Sequence, residues 1–308
     1  MSTKTLLYVL KRILIAILTI FLIITITFFV MNVIPGGPFN SEKAVSPETL
    51  AALNAKYGLD KPLVEQYGNY LLNLLHLDFG PSLKQKGRLV SDILLDGLAA
   101  SAKLGLAAAL LAIGLGIILG TTAAVFRKKL ADRAIMIFTT ASVAMPSFVI
   151  GTFLLIIFCL YLSWFPPNGA LKGGLVLPIV SLALYPTAYI TRLTRSSMLD
   201  VMGQDFIRTA RAKGVSKLSV IYKHTLRNAL IPVITYVGPM IAYIVTGSLV
   251  VEQIFSVPGL GRAFTSSIIN RDYTLIMGTT IVLATLVVFM NLVSDILYTI
   301  VDPRIDLN

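Results

Sequence analysis

Charged side chains are scarce in this chain. Only 13% of its 308 residues are Asp, Glu, Lys or Arg, whereas 56% are hydrophobic and the mean hydropathy is +0.82. Soluble domains carry roughly 25% charged residues, so the composition excludes a soluble domain and predicts an integral membrane protein. Cysteine is nearly absent as well. The single cysteine, Cys159, lies in an apolar run and excludes a disulfide framework or a cysteine-based metal site.

Motifs for nucleotide hydrolysis and other chemistry are also missing. The sequence contains no G-x-x-x-x-G-K-[ST] phosphate loop and no G-x-S-x-G nucleophile motif. Its two histidines, His76 and His224, are far apart and are predicted on opposite sides of a membrane, so we expect no metal site. We therefore expect a protein that is not an enzyme and binds no cofactor itself.

Six long apolar runs are present instead. They cover about residues 13–33, 98–126, 134–162, 174–191, 229–251 and 276–300. A helix crosses a membrane with about 20 apolar residues, so the sequence predicts six transmembrane helices. The first run exceeds the roughly 7–15 apolar residues of a signal peptide and is interpreted as a retained span.

The middle of each run holds no Asp, Glu, Lys, Arg or His. Ion-coupled transporters and proton pumps generally need an ionisable or unwound polar site near the midplane. The sequence therefore disfavours an ion-coupled secondary transporter, which we keep as the alternative function from a different class of protein. A selective ion channel is disfavoured because there is no TVGYG-like filter.

Lys and Arg are concentrated in alternate connections, which predicts that both termini are cytoplasmic. Four segments follow from this orientation. They are the cytoplasmic N-terminus with the first span (1–33), an extracytoplasmic helical segment (34–97), a transmembrane domain (98–301) and a cytoplasmic tail (302–308).

The extracytoplasmic segment is predicted to form two helices. Ser46 and Pro47 provide an N-cap and first helical residue, Gly58 ends this helix, and Pro62 begins the next. The second helix carries an apolar stripe, which packs on neighbouring protein or forms a docking surface for an external partner. The stripe consists of Leu63, Tyr67, Tyr70, Leu71, Leu74 and Leu75.

Small residues and prolines mark the spans. Gly116 and Gly120 are four residues apart, a spacing that predicts close approach of a neighbouring helix in lipid. Prolines within spans indicate kinks, which either move or serve packing only. These prolines are Pro146, Pro178, Pro186, Pro232 and Pro239.

A basic cytoplasmic segment, Asp205 to Pro232, interrupts the apolar runs. Asp205 and Ser216 are possible N-caps and Gly214 is a turn between two short helices. Apolar residues fall on one face of each helix. These faces are Ile207 with Ala210, and Leu218 with Ile221 and Tyr222.

Three interpretations of this segment compete. A solvated loop would need neither the periodicity nor the turn at Gly214. A DNA-binding helix-turn-helix has the charge but is tied to spans at both ends, so no nucleic acid partner is expected. A docking element for a cytoplasmic protein fits best, because the chain lacks its own energy source and amphipathic helices fit grooves.

The stretch RTARAKG, Arg208 to Gly214, with H-x-L at His224, resembles the cytoplasmic loop motif of ABC-importer permeases. Only Ala210 and Gly214 match the general E-A-A…G pattern outright. Arg208 and Thr209 replace its first two positions, a departure typical of the dipeptide/oligopeptide branch. Seven further stretches resemble that branch's B-type subunit, while DFGPS favours its oligopeptide member. They are IPGGPF, AKYGLDKPLVEQY, MPSFV, RLTRSSMLDV, VEQIFSVPGLGRAF, NRDY and VDPRID.

The resemblance implies an all-α polytopic fold of the type I ABC-importer permease class. It implies a subunit of an ATP-driven oligopeptide importer in the bacterial inner membrane. This subunit would line the path with a homologous C-type permease subunit and receive peptide from an extracytoplasmic binding protein. Two cytoplasmic ATPase subunits would use ATP and Mg²⁺ below it. Dipeptide, nickel and opine permeases remain alternatives.

The resemblance also implies residue roles. The cytoplasmic loop, 192–228, would transmit motion from the ATPases. Its coupling residues would be Asp205, Arg208, Thr209, Ala210, Arg211, Lys213, Gly214, Leu218, Tyr222 and His224. The outer gate or binding-protein contact would comprise Tyr67, Tyr70, Glu252, Arg262 and Arg271. Glu252 would contact a peptide amino group or form a structural hydrogen bond.

Overall fold

The structure is a computed structural model that describes residues 3–33, 37–39, 47–245 and 248–301. These residues form helices and no β-strand, apart from one isolated bridge between Pro81 and Leu89. The all-α expectation is confirmed. The helices are α1 (Thr3–Val33), α2 (Pro47–Tyr57), α3 (Leu63–Leu75), α4 (Val90–Val125), α5 (Leu130–Ala144), α6 (Ser147–Leu154), α7 (Val176–Met202), α8 (Asp205–Ala212), α9 (Lys217–Ser219), α10 (Arg227–Ala229), α11 (Ile231–Val245), α12 (Leu249–Ile254), α13 (Leu260–Asn270) and α14 (Tyr273–Val301).

The predicted spans correspond to these helices, but two of them are bent. Among the described residues, α1, α4, α7 and α14 are long and apolar enough to cross a membrane singly. Two bent helix pairs, Leu130–Tyr161 and Lys217–Val245, bring the number to six if each counts as one span. The described helices are therefore consistent with the six spans predicted from the sequence.

The third apolar run is not one helix. Helices α5 and α6 meet at 105°, so the kink predicted at Pro146 is present as a sharp bend. Pro146 has no backbone N–H and disfavours helical geometry in the residue before it. Met145 is accordingly extended, with φ −100° and ψ 130°. Pro186, by contrast, is accommodated inside α7.

The helices form two compact units. Of the described residues, the first unit takes those up to Ala100 and Pro258–Phe289. The second takes Ser101–Val257 and those from Met290 onward.

Helices α1 and α3 pack together in the first unit. The hydroxyl groups of Tyr67 and Thr25 are hydrogen-bonded at 2.7 Å, and the Tyr67 ring lies 5.2 Å from that of Phe28. The middle of the predicted α3 stripe is therefore partly buried within this chain. Its ends are not, since Leu63 is 44% exposed and Leu75 is 80% exposed.

The ends of α2 and α3 follow the predicted signals. Helix α2 begins at Pro47 and is followed by Gly58 at φ +66°, a conformation that glycine adopts without strain. Pro62 directly precedes α3. The proposed cap Ser46 lies outside the described residues, as do the IPG of IPGGPF and the DPRID of VDPRID.

A buried carboxylate attaches the loop before α4 to the start of α14. Asp272 is 1% exposed and accepts hydrogen bonds from the Ser82 hydroxyl at 2.5 Å and the Leu83 N–H at 3.1 Å. It also accepts from the N–H of Leu275, one of the donors that the first turn of α14 leaves unpaired. Asp272 therefore caps α14 and holds the loop in place.

Helices α4, α7 and α11 form the core of the second unit. Ala108, Ala112, Ile190, Val233 and Met240 are among its buried residues. The close approach that the small residues of α4 predict is confirmed, as a Cβ added at Gly120 would lie only 2.7 Å from a backbone carbonyl oxygen of α7. A Cβ at Gly116 would lie 2.6 Å from the Ile190 side chain.

Candidate coupling site

Helix α8 is anchored by its apolar face. Ile207 is fully buried and Ala210 is 9% exposed, as the sequence spacing predicts. Ile207 packs in a cluster with Met198 and Val220. The rest of the helix surface is presented to the surroundings, where Arg208 and Arg211 are exposed.

Gly214 ends α8 in the predicted turn. Its φ is +77°, and its N–H donates to the Arg211 carbonyl at 3.0 Å. The Val215 N–H reaches back to the Ala210 carbonyl at 3.2 Å. This pair of bonds is the Schellman arrangement, which satisfies carbonyls left unpaired at a helix C-terminus.

The N-terminal caps differ slightly from the prediction. Gln204 has the extended backbone of an N-cap, so Asp205 is the first helical residue rather than the cap. The Asp205 carboxylate there complements the helix dipole. It lies 3.4 Å from the Arg208 guanidinium. Ser216 does cap α9, since its hydroxyl oxygen accepts from the Ser219 N–H at 3.4 Å.

The helix after Gly214 is wider than the sequence predicts. Between α9 and α10, Val220–Leu226 form a π-helical turn. Hydrogen bonds of that geometry join residues five apart. Val220 and Thr225, which are five apart, are accordingly the buried residues of the turn.

The predicted apolar face of this second helix is largely exposed. Leu218 is 68% exposed and Tyr222 is 59% exposed, whereas Ile221 packs partly on the buried cluster of α8. The outward face combines apolar and basic side chains. Its exposed members are Lys217, Leu218, Tyr222 and Lys223, and His224 is partly exposed.

Most of the sequence-predicted coupling residues contribute exposed surface on α8, the turn after it and the following helix. We call this surface the coupling face and define it by Arg208, Thr209, Arg211, Lys213, Leu218 and Tyr222, all exposed. Ala210 lies beneath it as an anchor. The coupling face has the chemistry that fits a groove with an acidic rim, namely apolar contact residues surrounded by cations.

A buried ion pair near this face was not foreseen. Arg195 of α7 donates from Nε to Asp132 Oδ1 at 2.7 Å and from Nη2 to Oδ2 at 2.8 Å. The Lys128 N–H donates to the same carboxylate at 2.8 Å, and Asp132 is 4% exposed. The partners are 63 residues apart, so no local sequence pattern relates them.

The outer candidates lie on several helices. Tyr67 and Tyr70 both pack beside Phe28 on α1, and Tyr70 lines a cavity of about 280 Å³ in the first unit. The Tyr70 hydroxyl has no hydrogen-bond partner among the described residues, and burial raises the pKa of Tyr70. Arg262 is on α13, and Arg271 ends that helix at φ +55°.

Glu252 belongs to the second unit and is fully buried in α12. Its carboxylate accepts from the Ser101 hydroxyl at 2.8 Å. This placement favours the structural alternative for Glu252. Contact of Glu252, or of the other outer candidates, with peptide or binding protein remains a prediction.

Comparison with known families identifies the chain. Residues 112–307 match the family model described as "Binding-protein-dependent transport system inner membrane component", and residues 5–87 match the model of the corresponding N-terminal region. The chain belongs to this family. It is thus a multi-pass inner-membrane transport component, and its predicted place in the dipeptide/oligopeptide branch of ABC-importer permeases is confirmed by its relatives.

Three curated relatives of this permease align over nearly their whole length. The oligopeptide transport system permease protein OppB of Haemophilus influenzae is 45% identical over 97% of this chain and 98% of its own. The protein of the same name from Escherichia coli K12 is 43% identical over the same shares. The dipeptide transport system permease protein DppB of Bacillus subtilis is 43% identical over 98% of both chains.

A solved structure shares the fold of this permease. A chain of the MetNI methionine ABC transporter in an inward-facing conformation matches with a TM-score of 0.55 at 16% identity. The match covers 68% of this permease and 96% of that chain. At this identity the likeness concerns the fold alone, and it confirms the expected type I importer architecture.

Proposed function

We propose that this permease is the membrane subunit of an ATP-driven oligopeptide importer. In the proposal it forms the translocation path with a homologous C-type subunit, receives peptide from an extracytoplasmic binding protein, and rests on two cytoplasmic ATPases. The ATPases bind ATP and Mg²⁺. The substrate class is supported by the oligopeptide permeases that are 43–45% identical to this chain.

The coupling face carries the mechanistic part of the proposal. Ile207 and Ala210 fasten α8 to its own unit, so a force applied to the outward residues reaches α7 through packed side chains. Arg211 and Lys213 are exposed and free to pair with acidic residues of an ATPase. Movement of an ATPase would displace α8 as a rigid body. The hydrogen bonds from the Gly214 turn to carbonyl groups of α8 hold the C-terminal end of the helix together.

We also propose how the chain is oriented across the membrane. Residues 192–228 and both termini face the cytoplasm, whereas 34–97 and the 252–271 region face outward. In this arrangement the binding protein approaches α2, α3 and α13. Among the outer candidates, the residues with exposed surface are the ones that can contact the binding protein. Arg271 is one of them.

The decisive experiment reverses two charges of the coupling face. The double variant Arg211→Glu, Lys213→Glu is assembled with its partner subunits in proteoliposomes, and peptide uptake and ATP hydrolysis are measured together. We expect normal membrane insertion, loss of uptake, and loss of the stimulation of hydrolysis by peptide-loaded binding protein. Like charges at a docking rim are strongly unfavourable.

The matched control reverses two exposed lysines of the loop before α4. Lys84→Glu, Lys86→Glu changes the net charge equally but lies on the outward side in the proposed topology. If peptide-loaded binding protein stimulates ATP hydrolysis as strongly in the Arg211/Lys213 variant as in the parent, the docking role is refuted. Concentrative uptake driven by an ion gradient without the ATPases would instead support the secondary-transporter class.

Dipeptide import is the second candidate. The 43% identity to the Bacillus subtilis dipeptide permease favours it. Competition for uptake between unlabelled peptides of increasing length separates the two candidates. Inhibition by dipeptides alone would replace oligopeptide with dipeptide as the substrate class.

A further inference from the structure

The exposed side of α7 is polar although the helix is a candidate membrane span. Tyr185 is 46% exposed and Tyr189 is 43% exposed, and Ser196 is also exposed. Arg192 between them is partly exposed. Steps of four, three and four residues place all four side chains on one helix face.

The exposed sides of other spans have a different composition. On α1, Leu14 is 68% exposed and Ile26 is 60% exposed. On α4, Leu110 is 72% exposed and Ile118 is 61% exposed. Such aliphatic surfaces suit contact with lipid chains, where polar groups are disfavoured. The surroundings of the exposed face of α7 must therefore differ from lipid.

A third tyrosine extends this face onto α11. The rings of Tyr189 and Tyr236 are stacked, with centroids 4.2 Å apart and an angle of 28° between their planes. Tyr236 is partly exposed. Two helices of the second unit thus present one continuous tyrosine surface.

The polar groups of this surface are only partly satisfied by the described residues. The hydroxyls of Tyr185, Tyr189 and Tyr236 have no hydrogen-bond partner among the described residues. The Arg192 guanidinium donates to Thr140 Oγ1 at 3.1 Å but pairs with no described carboxylate. Arg192 lies at the cytoplasmic end of the span in the proposed topology, whereas the three tyrosines lie within apolar runs. Unpaired hydroxyls are costly in hydrocarbon, so the tyrosine surface requires water or a polar ligand.

We propose that Tyr185, Tyr189, Arg192 and Tyr236 form a tyrosine face that lines the aqueous translocation path and contacts the transported peptide. This inference rests on the proposed function. Phenol rings pack against peptide side chains of many kinds, while their hydroxyls hydrogen-bond the peptide amides. The tyrosine face therefore suits a substrate defined by its peptide backbone rather than by one side chain.

Thiol accessibility in the assembled importer tests this proposal. Cys159 is replaced by Ala, and single cysteines are introduced as Tyr189→Cys and, independently, Tyr185→Cys. The matched control is Leu110→Cys on α4, an aliphatic position more exposed than either tyrosine. Labelling by a charged methanethiosulfonate is followed with and without peptide-loaded binding protein, and ATP hydrolysis reports assembly of every variant.

Only a thiol in water ionises readily and meets a charged reagent. We expect Tyr189→Cys or Tyr185→Cys to be labelled about tenfold faster than Leu110→Cys. We also expect peptide under turnover conditions to slow labelling of the tyrosine-face cysteines severalfold. The Cys159→Ala parent sets the background rate.

The outcomes separate this inference from the proposed function. If both tyrosine-face cysteines label as slowly as Leu110→Cys while the importer still transports peptide, the face packs on lipid or on the partner permease and the inference is overturned. Fast labelling that peptide does not slow would overturn the contact with peptide. Fast labelling in an importer that transports no peptide would refute the proposed substrate and, with it, the peptide contact.

Discussion

Arg195 and Asp132 form a two-pronged ion pair that joins α7 to α5. The two N–H···O distances are 2.7 and 2.8 Å, and Asp132 is almost entirely buried. The same carboxylate caps the turn at Lys128. Only two residues separate α7 from α8. A displacement of the coupling face would therefore pass into α7, the helix that carries Arg195.

Removing one partner of this pair should destabilise the permease strongly. Asp132→Ala leaves the Arg195 guanidinium, largely buried, without its carboxylate, and breaking such a pair costs about 3–5 kcal/mol. We expect a clearly lower thermal unfolding midpoint for the purified importer. The control is Asp205→Ala, whose exposed pair with Arg208 contributes about 0–1 kcal/mol. Equal midpoints for the two variants would contradict the role given to Asp132.

Contact between α4 and α7 depends on a missing side chain at Gly120. Gly120→Ala would place a Cβ 2.6 Å from that of Thr194, and overpacking of this kind costs about 1–3 kcal/mol. Gly114→Ala on the same helix meets no atom within 4 Å and should be neutral or stabilising by about 0.5–1 kcal/mol. Unfolding midpoints measured in detergent compare the two. A Gly120→Ala variant as stable as the parent would show that the helices can separate freely.

The turn after α8 depends on the backbone conformation of Gly214. An added Cβ meets nothing within 4 Å, but φ is +77°, and this conformation costs an L-residue about 1–2 kcal/mol. Gly214→Ala should therefore speed amide hydrogen exchange in 205–215 without affecting the spans. Gly203→Ala serves as the control because Gly203 has φ −80°. The same increase in exchange from both variants would argue against strain at Gly214.

Asp272 should control the order of the loop before α4. Asp272→Ala removes acceptors for Ser82, Leu83 and Leu275, and each buried donor left unsatisfied costs about 1–3 kcal/mol. We expect faster hydrogen exchange or protease cleavage within 78–89. Asp96→Ala, which removes an exposed pair with Arg88, is the control. Unaltered protection of the loop in Asp272→Ala would mean that other contacts hold it.

Local signals predicted the short helices well. Pro47, Gly58 and Pro62 marked the limits of α2 and α3, and Gly214 and Ser216 marked the turn and cap after α8. These residues act through their own backbone preferences and nearest neighbours. Such effects are encoded within a few residues and can be read without a structure.

Periodicity left open which residues of the second helix are buried. Leu218 and Tyr222 of the predicted apolar face are exposed, and the π-helical turn buries Val220 and Thr225. A kink at Pro146 was predicted, but its angle of 105° was not. A widened turn or a sharp bend moves side chains to new positions. Whether it forms depends on which neighbouring helices those side chains pack against.

The sequence by itself determined the membrane class, the six apolar runs and the position of the basic segment from Asp205 to Pro232. Composition and span length suffice for these properties, because lipid demands long apolar helices wherever they pack. Only the tertiary structure decided that Asp132 meets Arg195, that Asp272 holds Ser82, and that Tyr189 stacks on Tyr236. These pairs join residues far apart in sequence, and their contacts arise only after whole helices have packed against one another.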